Sequence, residues 1–207
     1  MLSGLENKDI SLDIYVKKIY EKPDLINQYL EGLLSKNETY RYNCFKVLYV
    51  VSEKKPNLLY PYWDFFINHL KSDNNYHKMS AVLIIANLIS VDSENRFENI
   101  FDDFFGNLKS KKTIVPIYVV KSSGKIINSK PYLEGKITNL LLNIEKIHHG
   151  KQIELVKSAV IESFSEFFEH TENKEAIVDF VKKQVDSESQ KTRKTAKEFL
   201  SRWGEID

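Results

Sequence analysis

The chain has 207 residues, 42% of them hydrophobic and 29% charged, with a net charge of +1. That balance is too apolar for a disordered tail and too neutral for an overall field toward nucleic acid or an anionic membrane, so an electrostatic partner needs a local patch. Seven glycines and five prolines are few for the tight turns of an all-β fold. The one cysteine, Cys44, excludes an internal disulfide and a Cys-based metal site and predicts a reduced, cytoplasmic chain. The start, MLSGLENKDISLDI, has neither the basic nor the apolar part of a secretory signal. The longest apolar run, AVLIIANLI at 81–89, is about half a membrane span, so no membrane segment is expected.

Taken in chain order, apolar residues recur at helical spacing almost everywhere. Helices are predicted at roughly 8–21, 24–35, 38–53, 58–72, 75–90, 94–109, 112–128, 130–147, 151–170, 173–187 and 189–203. Pro23-Asp24 ends one helix and can cap the next, Lys54-Lys55-Pro56-Asn57 separates another pair, and Ser129-Lys130-Pro131 offers a cap with proline in the first turn. Two helix types alternate. One carries large apolar stripes, as in Trp63, Phe66, Ile67 and Leu70. The other mixes in small residues: Cys44, Ala81, Ala159 and Ala196.

The alternation is a repeat. WDFFINHLKS (63–72) superimposes without a gap on FDDFFGNLKS (101–110), sharing Asp, Phe, Leu, Lys and Ser. A step of 36 carries Phe101, Phe104, Phe105 and Leu108 onto Ile137, Leu140, Leu141 and Ile144, and a step of 41 carries Ile137, Leu140 and Ile144 onto Val178, Val181 and Val185. The units are approximately 8–35, 37–73, 74–110, 111–147 and 148–187, with a closing helix at 188–203, all in one domain. One helix pair cannot bury its apolar face alone, so neighbours must stack.

Three segments resemble the turn and first helix of a HEAT repeat: Leu34-x6-Arg41-x2-Cys44-x3-Leu48, Leu70-x7-Lys78-x2-Ala81-x3-Ile85 and Val185-x7-Arg193-x2-Ala196-x3-Leu200. The resemblance covers 34–203, with 8–33 as a degenerate first unit. It implies an all-α fold: an armadillo-like α-solenoid, a right-handed superhelix of about five HEAT-like pairs plus a closing helix. Two units depart from the pattern, with Val120 and Val156 where the basic residue belongs.

The motifs of chemistry fail in turn. IVPIYVVKSSGK (114–125) suggests a strand entering a phosphate loop, but a P-loop needs glycine at 119 and a hydroxyl at 126. Those positions are Val119 and Ile126, so the stretch reads as a first helix with Pro116 in its opening turn. Five histidines form no HExxH pair, and His148-His149-Gly150 reads as a solvated turn. No catalytic motif is found, and no cofactor or metal is expected. Asp102, Asp103, Glu162, Glu166 and Glu169 read as solvated faces.

In HEAT-like arrays the second helices line a concave surface, which implies two ladders of partner-binding residues. One is Phe65, Asp103, Asn139 and Phe180; the next is His69, Asn107, Asn143 and Gln184. Charge is uneven too: residues 105–150 hold eight lysines against Glu134 and Glu145, whereas 162–180 hold six acids against Lys174. Lys109, Lys111, Lys112, Lys121 and Lys125 form a candidate patch for an acidic protein. The expectation is therefore a non-enzymatic interaction scaffold or adaptor. One alternative is a DNA-binding protein like the HEAT-like alkylpurine DNA glycosylases, casting Trp63, Asp64 and the lysines in that role. Another is a structural subunit of a larger assembly.

Overall fold

A computed structural model describes residues 2–204, and among them the chain is helical with no strand. The α-helices are α1 (Leu12–Glu21), α2 (Ile26–Gly32), α3 (Glu38–Lys54), α4 (Trp63–Leu70), α5 (Asn75–Leu88), α6 (Arg96–Gly106), α7 (Ile114–Ser129), α8 (Glu134–Leu142), α9 (Ile144–Ile147), α10 (Ile153–Phe167), α11 (Lys174–Lys182) and α12 (Gln190–Trp203). No helix is long and apolar enough to cross a membrane.

Eleven helices were expected, and the differences fall mainly on the second members of pairs. Pro23, Pro56 and Pro131 each open a short 3-10 turn before such a helix and Pro61 is the second residue of another, because proline has no N–H to give to a preceding turn. Asp24 makes no side-chain cap there, and neither does Ser129, which is the last residue of α7. The 130–147 helix breaks at Asn143 into α8 and α9, and the first helix begins at Leu12 rather than 8.

The chain forms two compact units, 1–96 and 97–207. In the first, α3 packs against α1, α2 and α5, and α4 lies on α5. Trp63, Phe66, Tyr29, Leu48 and Ile85 are buried there, and so are the small residues Cys44 and Ala81. In the second, α10 lies between α7 and α12, and α11 contacts both α8 and α12. Phe104, Ile137, Leu141, Phe164 and Val181 fill its interior with Ala159 and Ala196. Leu140 and Val185, placed in the buried stripe by sequence, are only half-buried.

Polar joints recur at the repeat spacing. Ser35, Ser72, Ser110 and Ser187 each accept, through Oγ, the N–H two residues on (3.2, 3.1, 3.4 and 3.1 Å), which shapes the turn between units. At three of these turns an asparagine or serine then caps the next helix: Asn37, Asn74 and Ser189 accept from Tyr40, Tyr76 and Thr192. Two of the three basic residues of the HEAT-like pattern close the same turns, since Arg41 Nη1 donates to Ser35 O (2.9 Å) and Arg193 Nη1 to Ser187 O (2.6 Å). Bonds from one pair to the next span a similar stretch of chain: Asn43 to Leu5 O, Asn87 to Ser52, Tyr60 to Asp92, Lys130 to Glu98, and Thr192 to Glu154 O.

Candidate functional site

The two ladders behave differently. In the first, Asp103 and Asn139 are exposed, Phe65 is half-buried and Phe180 is buried against Phe164. In the second, all four side chains turn onto their own backbone. His69 Nδ1 donates to Phe65 O (2.9 Å), Asn107 Nδ2 to Asp103 O (2.9 Å), Asn143 Nδ2 to Asn139 O (2.9 Å) and Gln184 Nε2 to Phe180 O (3.3 Å). Each acceptor lies four residues back, within α4, α6, α8 or α11, so the side chain bonds the main chain one turn below it near the helix end. His69, Asn107 and Gln184 are buried as well. The polarity of this ladder is therefore accounted for by helix ends. Four amide or imidazole donors at one register were a sequence signal for this role.

The lysines also divide. Lys109, Lys111 and Lys112 are exposed around the turn after α6. Lys121 pairs with Glu162 (3.0 Å), whose other oxygen holds Lys191 of α12 (3.0 Å). Burial opposes ionisation of Glu162, but the hydrogen bonds from Lys191 and Lys121 outweigh it and lower its pKa. Glu166 goes the other way: burial raises its pKa against the pull of Lys125 and Lys121. Its carboxylate packs over Gly124, where a Cβ would collide with it. Ser122-Ser123-Gly124 is thus the small, buried face of α7 on which α10 lies, not a phosphate loop.

Other candidates settle into structural roles. His148, expected in a solvated turn, is buried, with Nδ1 hydrogen-bonded to Leu108 O (3.0 Å). It stands 38 residues after Ser110, in place of the turn serine. Burial pushes the Cys44 thiol up to about 12, which leaves it protonated and a poor nucleophile at neutral pH. Trp63 is fully buried, and Asp64 pairs with Arg96 (2.6 Å). Among the described residues no three potential ligands cluster as a metal site.

The second unit also holds a cleft of about 460 Å³, lined in part by Ile127, Pro131, Glu134, Phe167, His170 and Glu172. Glu134 is the first residue of α8. Its Oε1 accepts from Thr138 Oγ1 (2.8 Å), Thr171 Oγ1 (2.5 Å) and Asn173 Nδ2 (3.4 Å), while Oε2 has only the long contact to Asn173 (3.5 Å). Nothing in the repeat pattern singles this residue out, because its partners come from the loop one unit later.

No protein-family model matches the chain, and no curated protein matches it.

Proposed function

We propose that the chain is a non-enzymatic scaffold, an α-solenoid of HEAT-like repeats that holds a partner protein on its exposed surface. The supporting observation is the recurrence of the same turn serine, helix-end donor and pair-to-pair bond along the chain. Such an array is a row of similar joints with a varied exterior, the construction of a surface that recognises rather than reacts. Lys109, Lys111 and Lys112 select an acidic partner, with Asp103 and Asn139 on the exposed ladder as further contacts. The test is affinity capture with the wild-type chain and with Lys109, Lys111 and Lys112 all reversed to Glu, the bound proteins being identified by mass spectrometry. The expected result is a reproducible acidic partner that the reversed chain loses while keeping its helical circular dichroism. Equal capture by the reversed chain overturns the lysine assignment, and no specific partner for the wild type overturns the scaffold reading.

A further inference from the structure

The Glu134 cleft has the features of a cation site rather than those of a packing defect. Its volume is about 460 Å³, within the range of about 300–1,000 Å³ in which side-chain-sized and larger ligands are held. Ile127, Pro131 and Phe167 give it apolar walls, and Glu134 and Glu172 contribute two acids. Among the described residues Glu134 pairs with no lysine or arginine; the nearby Lys130 is directed to Glu98 (2.9 Å). What holds Glu134 is a set of neutral donors, Thr138, Thr171 and Asn173, together with its place at the start of α8. A helix N-terminus and neutral donors fix a carboxylate in place without supplying a countercharge from a side chain. The donors also crowd onto Oε1, which leaves Oε2 as the under-used acceptor.

We propose that this cleft binds the guanidinium group of an arginine carried by a partner segment. The fit follows from three features. Oε2 accepts a charge-assisted N–H bond, the stronger kind. The planar fork has further N–H groups to spare for Glu172 on the rim. The aliphatic stem lies along Ile127 and Pro131 while the head stays on the acids. A guanidinium is also more weakly hydrated than an ammonium, so it loses less on entering a cleft with apolar walls, which favours arginine over lysine. The two acids in the lining, Glu134 and Glu172, agree in sign with a cationic occupant. This inference rests on the scaffold reading only for the source of the arginine, and its chemistry is testable without any partner.

The experiment is an NMR titration of the full chain with N-acetyl-arginine-N-methylamide, with the citrulline and lysine analogues as comparisons. Saturable amide shifts confined to 127–138 and 167–173 are expected from the arginine compound. The lysine compound should bind at least threefold more weakly and the neutral citrulline compound should not saturate. Glu134→Gln, which keeps an oxygen for Thr138 and Thr171, should weaken arginine binding at least tenfold. Glu172→Lys, at an exposed rim position, should weaken it at least threefold and carries the test if the first variant is unstable. Absence of saturable shifts, equal binding of citrulline or lysine, or unchanged binding by a folded variant overturns the proposal. Because the titration uses no lysate, its failure is distinct from a failure to capture a protein partner.

Discussion

Asn107 donates through Nδ2 to the main-chain carbonyl of Asp103, 2.9 Å away and one turn back. Asn107 is buried, so its bond is made where water cannot substitute. Asn107→Ala should therefore leave a helix-end carbonyl short of a donor and destabilise the chain by about 1–3 kcal/mol. Asn139→Ala, at an exposed position, should change stability by no more than about 0.5 kcal/mol. Urea unfolding of both variants decides the matter. Equal effects would mean that the Asn107 bond does not serve the helix end.

The packing of Gly32 on Cys44 makes a second prediction. A Cβ at position 32 would run into the Cys44 sulfur and crowd Tyr40. Both Gly32 and Cys44 are buried, so neither neighbour can swing into solvent. Gly32→Ala should cost about 1–3 kcal/mol by overpacking, despite the better helix propensity of alanine. Cys44→Ala in the same chain should recover part of that loss. The coupling between the two substitutions, read from a double-mutant cycle in thermal unfolding, should be at least about 0.5 kcal/mol.

These two sites also show what the residue pattern makes legible. The alternation of large and small apolar residues locates the helices and places Cys44, Ala81, Ala159 and Ala196 in the interior, because burial at helical period is a local property. The pattern does not say whether a polar side chain at a helix end looks outward or folds back. Asn107, just past the end of α6, and Asn139, within α8, are both asparagines near a helix end, yet one is buried and the other exposed. Glu134 was hidden for a related reason. Its donors Thr171 and Asn173 lie 37 and 39 residues on, and only the packing of one pair on the next brings them together. The departures at Val120 and Val156 were legible as departures. In the latter unit Lys157, one position along, takes the polar role while Val156 enters the core.

His69 and His77 predict a pH dependence. Their rings lie 4.7 Å apart between centroids. The His69 Nδ1–H is committed to Phe65 O, and its Nε2 is buried without a partner, so a proton added there finds no acceptor. Burial lowers the His69 pKa against the pull of the Phe65 carbonyl, and burial, His69 and Arg41 lower that of His77. A histidine whose folded pKa is depressed contributes stability that is fully present above its unfolded value, about 6.5, and is lost as pH falls below it. Stability should thus decline between pH 7 and pH 5. His69→Gln puts at this place the side chain that Gln184 uses for the same helix-end bond, and it should flatten that decline. Urea midpoints across the range check this, and an unchanged slope would assign the titration elsewhere.

Lys157 carries the last prediction. It is buried with its ammonium between Glu154 (2.5 Å) and Glu145 (2.9 Å), and Glu154 also accepts from Ser187 of the following turn. Burial works against both charges. The carboxylate bonds nevertheless raise the Lys157 pKa, and the bonds from Lys157 and Ser187 lower that of Glu154. Removing one member of such a set costs more than removing the set, because the charge left behind has lost its partner but not its surroundings. Lys157→Met should destabilise by on the order of 3 kcal/mol. Adding Glu154→Gln should restore a substantial part, since the residual carboxylate at that site is then neutral while an oxygen remains for Ser187. The single variant should also become more stable as pH falls toward 4, where Glu154 takes up a proton, whereas the wild type should lose stability over the same interval. Opposite pH slopes for the two chains are the measurement that separates an ion-pair role from simple loss of packing by the lysine stem.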